Sequence, residues 1–191
     1  MESSTRTATA PVEPLFLERW SPRSFTDRPV DPADLDSLFE AARWAPSCMN
    51  LQPWLFVHAT AEAPRARVAD LLVEGNRVWA ERAPVLGVVF ARRHLDAERE
   101  KPNRWAAFDA GAAAYALSLQ ATRLGLATHL MGGFDAEASY AALGVDPEEY
   151  EALAAFAVGH RGERSALPEH LAAREQPSDR HPRAEIAREL L

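Results

Sequence analysis

Three short stretches of this sequence carry polar side chains whose spacing suits the capture of a ligand. In "RWSPRSF", Arg19, Ser21 and Arg23 alternate. Alternate side chains of an extended segment point the same way, so two guanidiniums and a hydroxyl converge on one spot, a donor set that matches a phosphate group. The same residues also suit an ordinary solvated start to a domain. In "ARWAPSCMNLQPWLFV", Pro46, Ser47, Asn50, Gln52 and Pro53 separate two apolar elements where a short glycine turn would suffice. Their amides and hydroxyl offer hydrogen bonds beside an apolar helix end, as a flat heteroaromatic ligand with polar edges requires; a capped helix-to-strand turn uses the same residues. The third stretch, "GLATHLMGGFD", puts Gly132 and Gly133 at a strand end, where missing Cβ atoms let backbone N–H groups approach a ligand closely. A simple turn is the plainer alternative there.

Composition narrows what these stretches serve. A chain of 191 residues with 47% hydrophobic and 26% charged residues fits one compact globular domain with a sizeable core. Its formal charge of -7 argues against a nucleic-acid binder, because binding a phosphate backbone rests on a basic surface. Cys48 is the only cysteine, which excludes an intramolecular disulfide and a Cys-rich zinc site and suits a reducing cytoplasm. The six histidines show no metal-ligand spacing with carboxylates, and no metal is expected. The longest apolar run, 83–91, is about half the length a bilayer demands, so no membrane span is expected. Residues 1–14 lack the basic start and apolar core of a signal peptide and read as a flexible arm; residues 15–191 read as a single domain ending in an extended C-terminal arm from about 165.

The elements that must position the polar clusters follow from periodicity. Asp31 can cap a helix with Pro32 at its first position, and Leu35, Leu38, Phe39 and Ala42 then form one buried stripe until Pro46 stops it. Residues 54–60 and 84–92 read as strands, both central, joined by an Arg-rich helix that carries Val68, Leu71 and Leu72 and ends near Gly75. The longest helical pattern runs from about 105 to 124, rich in Ala and closed by Gly125. "LATHLMGG" reads as a short strand, "DAEASYAALG" as a short helix, and "YEALAAFAVGH" as a strand or a helix passing into one. Alternating elements of this kind make a mixed α/β domain with helices covering a sheet.

Taken in order, "RWSPRSF", "LFEAARWAPSCMNLQPWLFV", "GAAAYALSLQATRLGLATHLMGG" and "AVGHRG" resemble the nitroreductase family of flavin-dependent oxidoreductases from about Glu18 onward. The most distinctive element is "APSxxNxQPW", found here about two dozen residues after "RxSxRxF". The resemblance implies an α+β fold, with a central, mainly antiparallel sheet flanked by helices and a C-terminal arm exchanged in a homodimer. It implies noncovalent FMN at the dimer interface, each site built from both chains. Carried over onto this sequence, Arg19, Trp20, Ser21 and Arg23 belong to the cofactor site, the arginines and serine on the phosphate. Trp20 departs from the basic or small polar residue common there. Pro46, Ser47, Asn50 and Gln52 would reach the flavin from the other subunit. Met131, Gly132 and Gly133 would lie near the isoalloxazine ring, where an N–H directed at N5 tunes its redox behaviour. Arg180 in "DRHP" would complete the phosphate site, with Arg174 as the fallback.

The chemistry so implied belongs to the cofactor. NADPH or NADH would pass hydride to flavin N5 and leave, and an electron-poor acceptor such as a nitroaromatic or quinone would then take its place, a ping-pong cycle that needs no catalytic side chain. Cys48 reads as a small filler and His58 as a core or sheet-surface residue. Trp44, Trp54 and Trp105 could be core or could line the pocket, Trp105 being the best lid candidate. Residues 92–103 are short where larger relatives carry covering helices, which implies a more open site. Rival readings are a specialised relative (an enoyl or semialdehyde reductase, a dehalogenase, a flavin-fragmenting enzyme) and a flavin-binding sensor or carrier without substantial turnover.

Overall fold

A computed structural model describes residues 6–96 and 98–190 of the chain. Asp31 starts the first long helix as its sequence dictates: its carboxylate accepts from the Ala33 N–H at 2.8 Å, Pro32 follows, and α2 runs Pro32–Arg43. A five-residue helix, α1, precedes it at Pro14–Glu18. After the polar loop come β1 (Trp54–Ala59), α3 (Glu62–Ala69), α4 (Glu74–Ala80) and β2 (Val85–Arg92). The long α5 (Ala106–Arg123) then leads into β3 (Ala127–Met131), α6 (Ala136–Leu143) and β4 (Tyr150–Gly159), and the tail carries two short helices, α7 (Glu169–Ala172) and α8 (Arg183–Ile186).

The four strands form one antiparallel sheet in the order β1-β2-β4-β3. Strand period places Leu86, Val88 and Phe90 on one face with α3, α4 and α6, and Val85, Val89 and Ala91 on the other with α2 and α5. Both faces are therefore buried, which is why the middle of the sheet reads as continuous apolar runs. The Ala-rich sequence of α5 lets Ala106, Ala110, Ala113, Leu117 and Ala121 lie close on the sheet. Gly87 permits the tightest approach, since a Cβ there would run into the Phe156 ring and the Val57 carbonyl. This is the mixed α+β architecture expected, with a mainly antiparallel sheet flanked by helices.

Three local expectations change. The strand at 54–60 is an edge strand of this sheet, while β2 and β4 are central. The single helix expected to end near Gly75 is two helices, because Leu71 and Leu72 turn into the core and the chain restarts at Glu74 with Gly75 inside α4. The segment "YEALAAFAVG" is strand throughout, paired with β2 along most of its length and with β3 over Ala155 to Gly159. Of the expected N-terminal arm, residues 1–5 lie outside the described residues. The C-terminal arm docks its first part on its own chain, with Leu171 in the core and Glu175 buried. No helix among the described residues is long and apolar enough to cross a membrane.

Candidate functional site

The segment leading from α1 toward α2 is extended, and it alternates as the sequence predicts: Pro22 and Ser24 turn inward while Arg19, Ser21 and Arg23 stay partly exposed. Arg19 donates from Nη1 to Ser21 Oγ at 3.3 Å. Residues 24–26 pair with 160–162 just beyond the end of β4, through the Thr26 N–H to the His160 carbonyl (2.9 Å) and the Gly162 N–H to the Ser24 carbonyl (2.8 Å). The segment also lies along β3, the opposite sheet edge from β1, with His129 donating from Nδ1 to the Pro22 carbonyl at 2.9 Å.

Charge is concentrated here. Burial lowers the affinity of Arg19 for its proton, and Arg180 lowers it further. Arg6 is lowered chiefly by burial and then by Arg180 and Arg19, with Asp179 opposing. Three guanidiniums thus stand near one another in a molecule that is acidic as a whole, an arrangement that suits an anion. Arg6 links the two ends of the chain, holding the Arg19 carbonyl at 2.7 Å and the Ser178 carbonyl at 2.9 Å, two residues before Arg180; Arg174 is exposed on the turn before it. His129 is held down at about 4, first by burial and then by Arg23 and Arg19, and its ring packs against Trp79 at 4.6 Å.

The loop before β1 is backbone-strained. Met49, Asn50 and Gln52 have φ of 53°, 56° and 48°, a left-handed conformation that costs a non-glycine residue about 1 kcal/mol or more. Local hydrogen bonds hold it: the Gln52 N–H donates to Ser47 Oγ at 3.0 Å, the Asn50 N–H to the Ser47 carbonyl at 3.1 Å, and the Cys48 N–H to the carboxylate of Asp109 at 3.0 Å. Asp109 is buried in the first turn of α5. Pro46, Met49, Asn50 and Gln52 are presented outward, Met49 at 81% exposure, and Cys48 is half-buried as a filler would be.

The two halves of the candidate site do not meet within one chain. The loop feeds β1 at Trp54, whose register runs through Ala91 to Glu151 near the start of β4, whereas the Arg/Ser segment lies against β3 and the far end of β4. Three strand spacings, roughly 14 Å, separate the two edges even before their offset along the strands. Met131 is buried at the end of β3, and the space beside Gly132 is open within 4 Å of where a Cβ would stand. Gly133 is needed for close packing, since a Cβ would sit 2.7 Å from Asn76 Nδ2, which itself donates to the Gly133 carbonyl at 3.0 Å.

A cleft of about 330 Å³ opens beside the loop, lined by Gln52, Trp54, Arg92, His94, Asn103 and Tyr150 among others. Along α5, Trp105, Phe108 and Tyr115 present an exposed apolar stripe at helical spacing; Phe108 is 74% exposed, and Tyr115 stacks on Phe16 of α1. Arg104 lies 4.7 Å from the centre of the Trp105 ring. Trp54 is half-buried against the core, and the exposed Trp44 is pinned by its indole N–H to Glu40 at 2.8 Å. His58 packs on Phe39, the sheet-surface place expected of it.

Sequence reasoning missed Arg6, Asn76, Asp109 and Glu175. Asp109 alone had a visible signal: a lone carboxylate in the Ala-rich helix "AAFDAGAAA" needs a buried donor.

Comparisons with known proteins follow the same outline. The model of the Nitroreductase family matches residues 17–78 and 71–160. A solved structure of an oxidoreductase containing FMN is 41% identical, covers 99% of this chain and 96% of that one, and superposes with a TM-score of 0.92. A Desulfovibrio desulfuricans protein solved in complex with FMN is 27% identical over 96% of this chain and 99% of its own, with a TM-score of 0.73. A Streptococcus pyogenes protein provisionally named an NAD(P)H nitroreductase is 30% identical over 69% of this chain and 83% of its own. The family match spans the stretch that carries all three polar clusters, on a backbone that follows a 41%-identical structure nearly end to end. This protein belongs to the nitroreductase family.

Proposed function

We propose that this protein is an FMN-dependent oxidoreductase that uses NADPH or NADH to reduce nitroaromatic, quinone or other electron-poor small molecules. The observation that carries this reading is the Arg/Ser segment itself, where Arg19 donates to Ser21 at 3.3 Å while Arg6 ties the Arg19 carbonyl to that of Ser178, two residues before Arg180. The names of the similar proteins support it: one contains FMN, another was solved in complex with FMN, and a third is provisionally an NAD(P)H nitroreductase.

In this reading Arg19, Ser21, Arg23 and Arg180 hold the phosphate, and an anion offsets the burial and the neighbouring positive charge that lower the Arg19 and Arg6 proton affinities. Trp20 lies in the same segment beside the cofactor. Gly132, whose Cβ side is open, lets the backbone at Met131, Gly132 and Gly133 approach the ring. When bound, FMN supplies hydride chemistry at N5, accepting from the nicotinamide and delivering to the acceptor in ping-pong order. Protons come from water, so no side chain is assigned as general acid.

The separation of the two half-sites supports a homodimer. Pro46, Ser47, Asn50 and Gln52 serve the partner's flavin, and the apolar stripe Trp105, Phe108 and Tyr115 on α5 supplies surface for a two-fold interface. The tail beyond Arg180 is the part left to exchange between chains. The lone cysteine fits a cytoplasmic enzyme.

The deciding experiment is an absorbance spectrum of the protein purified without added flavin, followed by anaerobic titration with NADPH and then NADH. Flavin absorbance that bleaches with one of them and returns with an electron-poor acceptor is expected. Bound flavin that neither bleaches nor recovers at a useful rate would make the protein a sensor or carrier instead, and a colourless protein that takes up no FMN would end the reading.

A further inference from the structure

The segment that carries Arg19, Ser21 and Arg23 is held from both ends of the chain. On one side, Arg6 donates from Nη1 to the carbonyls of Leu17 at 3.1 Å and Arg19 at 2.7 Å, and from Nε to the carbonyl of Ser178 at 2.9 Å. The Leu17 carbonyl lies in the last turn of α1, where carbonyls lack helical partners and a guanidinium is welcome. On the other side, the Glu175 carboxylate accepts from the Arg23 N–H at 2.8 and 3.1 Å and from the Ser24 N–H at 2.9 Å. That carboxylate is buried, so these are charge-assisted hydrogen bonds of the stronger kind.

The two anchors grip opposite ends of one short segment and tie both to residues 175–178 of the C-terminal arm. Arg180 follows two residues after Ser178, so its distance from Arg19 is fixed through Arg6 and Glu175. Without such a tether the tail would have to be ordered anew at each binding event, at a cost in backbone entropy.

We infer that Arg6 and Glu175 are positioning residues: together they clasp the N-terminal and C-terminal arms across residues 19–24 and preorganise the phosphate cradle, so that order in the arms and phosphate binding depend on each other. The inference rests on the FMN reading above. It goes beyond it by giving a role to two arm residues that hold the segment through its backbone. Arg6 also brings a third positive charge to the cradle, through its hydrogen bonds to the Arg19 and Ser178 carbonyls. Linkage is reciprocal: whatever the arms contribute to phosphate binding, phosphate returns to the order of the arms.

The test compares FMN with riboflavin, which differ only in the phosphate, by quenching of flavin fluorescence on titration into the apoprotein. The wild type is expected to prefer FMN. Arg6→Ala and Glu175→Ala should each weaken FMN by about tenfold or more while leaving riboflavin within about twofold, because only the phosphate end is affected. Arg6→Lys keeps the charge but loses the fork that spans three carbonyls, so it should stay closer to Arg6→Ala than to wild type. Trypsin provides a second readout: FMN, and not riboflavin, should slow cleavage after Arg183 and Arg188 of the tail in the wild type and not in Arg6→Ala. Wild-type FMN affinity in Arg6→Ala, or an equal loss for both flavins, overturns the clasp and leaves the FMN reading intact. A wild type that shows no preference for FMN over riboflavin overturns both.

Discussion

His129 Nδ1 lies 2.9 Å from the carbonyl oxygen of Pro22, so the imidazole carries its proton on Nδ1 and donates it to the backbone of the Arg/Ser segment. Burial against Trp79, with Arg23 and Arg19 nearby, holds its pKa at about 4 against an ordinary 6.5. Since the folded value is the lower one, the unfolded chain binds the proton more readily between those two values. Stability should therefore fall as pH drops from 6.5 to 4, by up to about 3 kcal/mol from this group. His129→Gln removes the titration, and urea unfolding at pH 7 and pH 4.5 should show a smaller difference than in wild type. His58, also lowered by burial, retains its own share of the slope.

The strained loop depends on one buried carboxylate. Asp109→Ala leaves the Cys48 N–H without its acceptor and should destabilise the protein by about 1–3 kcal/mol, measured by urea denaturation. Asp109→Asn keeps an oxygen in place and should lose less. Equal losses would mean that the charge, and not the acceptor, holds the loop.

Gly87 has no room for a side chain. Gly87→Ala should cost about 1–3 kcal/mol, because the added methyl meets the Phe156 ring and the Val57 carbonyl in the middle of the sheet. Thermal unfolding should show it as a drop of several degrees, at about 2–4 °C per kcal/mol for a chain of this length.

Trp105 is 41% exposed at the start of α5, braced by Arg104 and by Phe108 at 6.4 Å between ring centres. If its ring covers the acceptor, Trp105→Ala should shift relative rates among acceptors of different size by several-fold and leave NAD(P)H oxidation in the first half-reaction near wild type. A uniform change across acceptors would remove Trp105 from the pocket.

Much of this fold was legible because periodicity and punctuation agreed. Asp31 with Pro32 began a helix, Gly125 with φ of +74° closed another, and the apolar runs of β2 and β4 were buried on both faces as their composition requires. The break between α3 and α4 was hidden because Leu71 and Leu72 continue a helical stripe while leaving the helix; tertiary burial overrode the local pattern. The edge position of β1 was hidden for a different reason, since strand order is a property of pairing and not of any one strand's residues. In the candidate site the alternation of Arg19, Ser21 and Arg23 was readable from the pleat of an extended segment. Arg6 and Glu175 were not, because each binds backbone atoms that every sequence has, and nothing in their neighbours announces it.

The diagonal placement of the two half-sites has a genetic meaning. With Arg19 at one sheet edge and Asn50 leading to the other, a site of the proposed dimer would take its cradle from one chain and its loop from the second. A chain crippled at Arg19 and another crippled at Asn50 would each be inactive alone. Co-expressed, they would form mixed dimers in which one site inherits both defects and the other inherits neither, so that random pairing restores roughly a quarter of the sites. Two broken genes would complement each other within a single protein.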